Sequence, residues 1–151
     1  MTDNPVRPTS DSVHDFLVAD AAAADASLAV IDAALAAALP GASRRLWRGV
    51  FWGGTEQAII GYGDIVQQRP RGASVEWFLV GLARQQRHVS LYVNAADGRD
   101  YLSRVYAGRL AAPGRKVTAG AAVLTFRSAE DIDLDVLSEM ARHAGRLATY
   151  S

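Results

Sequence analysis

Val75-Glu76-Trp77-Phe78-Leu79-Val80-Gly81-Leu82-Ala83-Arg84 and, after Gln85-Gln86-Arg87, His88-Val89-Ser90-Leu91-Tyr92-Val93 decide the fold. In the second segment Val89, Leu91 and Val93 alternate with His88, Ser90 and Tyr92, the period of a strand with one face on a core. Both alternating sets of the first segment are largely apolar. Trp77 and Leu79 are expected on one face, and Phe78, Val80 and Leu82 on the other, as in a central strand covered on both sides. Gln85-Gln86-Arg87 is too short a link for a parallel crossover, so the two strands pair antiparallel.

Moving outward, Leu46–Trp52 and Glu56–Val66 have the same aromatic and β-branched character, giving four consecutive antiparallel strands. Gly53-Gly54 reads as a hairpin turn and Gly61-Tyr62-Gly63 as a strand bulge. Neither glycine pair has the strand-to-helix setting of a phosphate loop. Before the strands, Ser10 or Asp11 caps a short helix carrying Val13, Phe16 and Leu17. An alanine-rich helix from about Ala22 to Leu39 follows, packing through Leu28, Ile31, Leu35 and Leu39 with Asp25 and Asp32 away from that stripe. Pro40-Gly41 ends it. After the strands come a helix over Asp97–Leu110, strand segments at Lys116–Thr118 and Ala122–Phe126, and a closing helix capped by Asp133. The expected fold is α+β: a single antiparallel sheet of about five or six strands with N-terminal and C-terminal helices packed on it. Residues 1–10 read as a flexible lead and 11–151 as one domain.

Sixteen basic residues balance sixteen acidic ones, which disfavours nucleic acid or an anionic membrane as a partner of the whole surface. The charge is unevenly spread. Met1–Asp32 carries six aspartates against Arg7, whereas Ala33–Lys116 carries twelve basic residues against five acidic. The absence of cysteine excludes disulfides, thiolate metal sites and a thiol nucleophile. No secretory pattern opens the chain and the alanine-rich stretch is too interrupted to span a membrane, so a cytoplasmic location is expected.

The order Gly61-Tyr62-Gly63, Trp77-Phe78-Leu79-Val80-Gly81-Leu82, His88-Val89-Ser90-Leu91-Tyr92-Val93, Lys116-Val117-Thr118-Ala119-Gly120 and Asp131-Ile132-Asp133-Leu134-Asp135-Val136-Leu137 resembles the YdhG-like family of domains of unknown function, over roughly Ala22–Gly145. The resemblance implies a domain related in shape to YjbR-like and frataxin-like proteins, a group with no established general enzymatic activity and, for some relatives, a suggested role in iron handling. The frataxin-like iron site is an acidic ridge. Here only scattered aspartates occupy the equivalent helices.

Trp77, Tyr92, His88, Tyr62 and Arg87, with Trp52 and Arg84, are the candidate binding surface. An aromatic sheet face beside arginines suits a small anionic or aromatic ligand or a protein partner. The competing readings are rings that fill the core and a face buried in a homodimer. Lys116 is the only lysine among fifteen arginines, and a compact ammonium there is a candidate anchor for an anion or an acidic partner, against the reading of an ordinary surface lysine. Asp11, His14 and Asp15 have the i, i+3, i+4 spacing of helix neighbours and form a candidate metal site for iron, to which Asp20, Asp25 and Asp32 would add a loose acidic ridge. No other cofactor is indicated. His88 and Ser90 share a strand face but no acid on that strand orients the imidazole, so no catalytic residue is assigned. The leading expectation is a non-enzymatic binding domain. A frataxin-like iron carrier and a structural dimerisation module are the alternatives.

Overall fold

Leu28, Ile31, Leu35 and Leu39 are spaced three and four residues apart, and all are buried against a sheet. The computed structural model describes residues 6–50, 56–68, 72 and 74–151. Its elements are β1 (Arg7–Pro8), α1 (Val13–Ala23), α2 (Ser27–Ala38), β2 (Arg44–Val50), β3 (Glu56–Gln68), β4 (Ser74–Arg84), β5 (Val89–Val93), β6 (Ala96–Asp97), β7 (Asp100–Tyr101), α3 (Leu102–Leu110), β8 (Thr118–Gly120), β9 (Val123–Phe126) and α4 (Leu134–Leu147). The protein is α+β. Seven strands form one antiparallel sheet in the order β1-β2-β3-β4-β5-β9-β8, and β6 and β7 make a separate small hairpin. The expected sheet was one or two strands narrower. No helix among the described residues is long and apolar enough to cross a membrane.

Two cores flank the sheet. On the helix side Val89, Leu91 and Val93 pack with α2, α3 and α4, as their alternation predicts. On the other side Val6, Trp47, Ile59, Trp77, Phe78 and Ala83 form a second cluster, with Tyr92 against it. The faces of β4 differ from simple alternation: Leu79 joins Val80 and Leu82 on the helix side, while Trp77 and Phe78 both join the second cluster. The pleat slips at Phe78-Leu79. Asn94 marks the place, donating its side-chain amide to the Phe78 carbonyl at 2.9 Å and its backbone N–H to the Leu79 carbonyl at 2.8 Å. Across the ladder Gly63 sits at φ 82°, a conformation that favours glycine.

Four local expectations are corrected. Val6 is buried and Arg7-Pro8 pairs with Arg48 and Trp47, so the lead joins the sheet from residue 6 onward. Ser12, not Ser10 or Asp11, caps α1 by accepting from the Asp15 N–H at 3.0 Å. The alanine-rich segment is broken before Ser27, whose N–H donates to Asp25 Oδ1 at 2.9 Å. Residues 96–101 form a hairpin rather than the first turn of α3, turning at Gly98, φ 69°. The expected Gly53-Gly54 turn and Trp52 lie outside the described residues. Asp133 caps α4 as expected, accepting from the Asp135 and Val136 N–H groups.

Candidate functional site

The six candidate binding residues do not converge. Tyr62 points to the helix side and is buried. Trp77 is buried in the second cluster, stacked on Phe78 with centroids 4.4 Å apart, and Tyr92 meets Phe78 edge-on at 6.1 Å. Burial pushes the Tyr92 phenol up, with hydrogen bonding to Ser90 and Gln85 opposing. Arg87 and His88 lie at the β4–β5 turn, while Lys116 is exposed in the stretch that precedes the edge strand β8 rather than in a strand. The aromatic face is therefore packed by its own rings. Among the described residues these side chains do not line one shared recess.

The metal candidates do not converge either. Asp11 is held by Arg48, whose Nε donates to Oδ2 at 2.8 Å, and His14 and Asp15 are exposed. Asp20 and Asp25 clamp Arg84 at 2.9 and 2.7 Å. Among the described residues, no group of three or more histidine or acidic side chains comes together to hold a metal ion.

Asp32 holds the arrangement that sequence reasoning missed. It is 7% exposed, on the buried side of α2 rather than away from it. Its carboxylate receives the Tyr62 hydroxyl at 2.6 Å and both Nε and Nη2 of Arg44, at 2.9 and 2.7 Å. A planar guanidinium gripped through two parallel bonds is fixed in direction as well as position. Arg44 keeps its other N–H groups for the outside, with its side chain 36% exposed. Burial pushes the Tyr62 phenol well above its ordinary 10.0, and the adjacent Asp32 charge adds to this.

That raised phenol gives a pH prediction. A group protonated more firmly in the folded chain contributes stability that is complete below its unfolded value, near 10.0, and is lost as pH rises through the folded value. Stability should therefore decline in alkali, and the decline should be shallower in Tyr62→Phe. Urea midpoints across the alkaline range measure this; equal slopes in the two proteins would refute it.

Next to Arg44 on β2, Arg45 points to the opposite face, where its guanidinium lies 5.5 Å over the Trp47 ring and Nη2 bonds Asp64 at 2.8 Å. Its Nε and the Ser43 hydroxyl are buried with no hydrogen-bond partner among the described residues. Strand β1 covers only part of the β2 edge: Thr9 closes it, with its N–H and its hydroxyl both donating to the Leu46 carbonyl, at 2.9 and 2.7 Å. The chain then turns away toward α1. An open cleft of about 490 Å³ is left there, lined by Pro8, Thr9, Ser10, Asp11, Arg44 and Arg45. Its volume falls in the range of roughly 300–1,000 Å³ usual for small-molecule sites.

The charges in and around the cleft are paired but unequal in hold. Arg44 is matched by buried Asp32 and Arg45 by half-buried Asp64. Arg48 and Asp11 form an exposed pair, 41% and 53% accessible, of a kind that contributes only about 0–1 kcal/mol. Asp11 is therefore only weakly held, whereas Asp32 keeps Arg44 aimed. Fold and site together define an α+β domain with an arginine-lined cleft at one sheet edge. No family model, no curated protein and no solved structure matches the chain.

Proposed function

We propose that the protein is a non-enzymatic binding domain whose ligand is a small anion held in the cleft beside Arg44 and Arg45. Affiliation with YdhG-like domains belongs to the same proposal and rests on the order of the sequence motifs. One observation carries the functional reading: two consecutive arginines line one cleft, one of them fixed from behind by the buried Asp32. Ser10 adds an exposed hydroxyl to the lining, and the unspent Arg45 Nε and Ser43 hydroxyl stand in the same stretch of chain. Guanidinium forks suit carboxylate or phosphate groups. The anionic ligand expected from the sequence keeps its chemical class, but its site moves from the sheet face to the sheet edge.

Thermal unfolding in the presence of citrate or inorganic phosphate, against chloride at equal ionic strength, tests this. A ligand of the native state at about a hundred times its dissociation constant adds about 2.7 kcal/mol, and the melting temperature should rise accordingly. Arg45→Gln should lose most of that rise. Stabilisation equal to that by chloride, or unchanged in Arg45→Gln, would remove the cleft as the site.

A further inference from the structure

On the sheet face turned away from the helices the second core stops at Tyr92, and among the described residues β5, β9 and β8 carry no apolar cluster beyond it. The register shows which side chains lie there. Val89, Leu91 and Val93 of β5, Leu124 and Phe126 of β9, and Val117 and Ala119 at β8 all pack with the helix-side core. The residues between them face the other way. Ser90 pairs with Thr125, and Thr125 with Thr118, so three hydroxyl side chains stand level across three strands. Continued past Val89↔Phe126 and Thr118↔Thr125, the same register sets His88, Arg127 and Lys116 level in the next row. Arg127 and Lys116 are exposed and His88 is half-buried.

Tyr92 supplies a third component. Its side chain is hydrogen bonded to Ser90 and Gln85, both toward the end of the β4–β5 hairpin where the Gln85 N–H donates to the His88 carbonyl at 2.8 Å. The ring therefore leans along the sheet toward the cationic row, and Ser90 beside it is only 3% exposed. A ring lying along a sheet offers a face for stacking. Two residues of strand span about 7 Å, so ring, hydroxyls and cations follow one another within the length of a small molecule.

None of these positions is acidic. The carboxylates that follow β9 leave with the chain toward the helices. Asp131 is buried, accepting from the Arg127 N–H at 2.8 Å and from Arg115 Nη1 at 3.3 Å. Asp133 and Asp135 open α4 on the helix side, and Glu130 stands between buried Asp131 and Ala129, which packs against the helix-side core.

We infer that this face is a second ligand site, for a free nucleotide: the base stacks on Tyr92, the sugar lies beside Thr125 and Thr118, and the phosphate meets Arg127 and Lys116 next to His88. A nucleic-acid strand fits less well. It needs successive stacking rings along a basic groove, whereas Tyr92 is the one ring among these outward residues and the whole chain is neutral. The site is independent of the cleft, which lies at the opposite edge of the sheet.

Calorimetric titration of the intact protein with adenosine monophosphate, adenosine, ribose phosphate and an oligodeoxyadenylate tests each part. Adenosine monophosphate should bind at least about tenfold tighter than adenosine or ribose phosphate, each of which lacks part of the contacts. Its binding should weaken as salt is raised. Arg127→Gln, at an exposed position, should weaken the nucleotide about tenfold and leave adenosine unchanged. Tyr92→Leu should weaken nucleotide and adenosine alike by about tenfold while leaving ribose phosphate unchanged, a pattern that general unfolding does not produce. Arg45→Gln, in the cleft, should leave nucleotide binding as it is, and Arg127→Gln should leave stabilisation by citrate as it is, so failure of either site is separately visible. No binding of adenosine monophosphate at millimolar concentration, equal binding of ribose phosphate, indifference to Arg127→Gln or to Tyr92→Leu, or an oligodeoxyadenylate bound at least about tenfold tighter would each overturn the inference.

Discussion

Asp32→Ala is expected to destabilise the protein by about 3 kcal/mol, at the lower end of the roughly 3–5 kcal/mol that follows removal of one partner from a buried ion pair. The lower end applies because the Arg44 side chain is 36% exposed, so part of its orphaned charge returns to water. The Tyr62 hydroxyl has no such recourse. With Tyr62 1% exposed, that hydroxyl is left buried and unpaired, a cost of about 1–3 kcal/mol by itself. Asp32→Asn preserves an oxygen acceptor for Tyr62 and should lose less than Asp32→Ala. In a Tyr62→Phe background the alanine replacement should also cost less, because no hydroxyl remains to be stranded. Urea unfolding of the wild type, the three single variants and the double variant checks the order. A loss below about 1 kcal/mol for Asp32→Ala would mean that the network behaves as a surface pair.

The layers of this fold were legible because they depend on burial of side chains at regular spacing. Val89, Leu91 and Val93 alternate without interruption, and the same faces appear in the structure. Asp32 shows where a stripe misleads. It follows Leu28 by four residues and precedes Leu35 by three, so it lies on the stripe, yet an aspartate suggests a solvated position. Its burial depends on Arg44 and Tyr62, twelve and thirty residues away, and no local pattern announces such a pairing. The shift in β4 is similar. Trp77 and Phe78 share one cluster next to the place where Asn94 bonds across to β4, a non-local contact that the alternation of β4 alone does not reveal. The cleft was illegible because it is bounded by where β1 stops covering β2, which follows from pairing over nearly forty residues of separation. The small hairpin at residues 96–101 was readable in principle: Asp97-Gly98 is a turn signal, and it outweighs the helical spacing of the residues after it.

Phe78→Ala carries the other large expected effect, about 3–5 kcal/mol, the usual cost of truncating a fully buried phenylalanine. Phe78 is 0% exposed and sits between Trp77, Trp47 and Tyr92, at centroid distances of 4.4, 5.4 and 6.1 Å. Its ring also lies over Gly81: a Cβ built there would come within 2.3 Å of the Phe78 Cε1 and 3.0 Å of the Ile59 Cγ2. The glycine is thus the floor on which the ring rests, and Trp47 lies over Gly61 in the same manner, 2.5 Å from a Cβ there. Gly81→Ala in the wild-type chain should therefore cost about 1–3 kcal/mol by overpacking. Once Phe78 is alanine, the obstruction is gone and only Ile59 has to give by a few tenths of an ångström. Alanine at position 81 then fills part of the void, and in a strand it is favoured over glycine by roughly 0.5–1 kcal/mol. The two changes should accordingly fall short of additivity by about 1–3 kcal/mol, with Phe78→Ala/Gly81→Ala no less stable than Phe78→Ala alone. Urea unfolding of the double-mutant cycle measures this, and strict additivity would show that the second core is not built by rings seated on glycines.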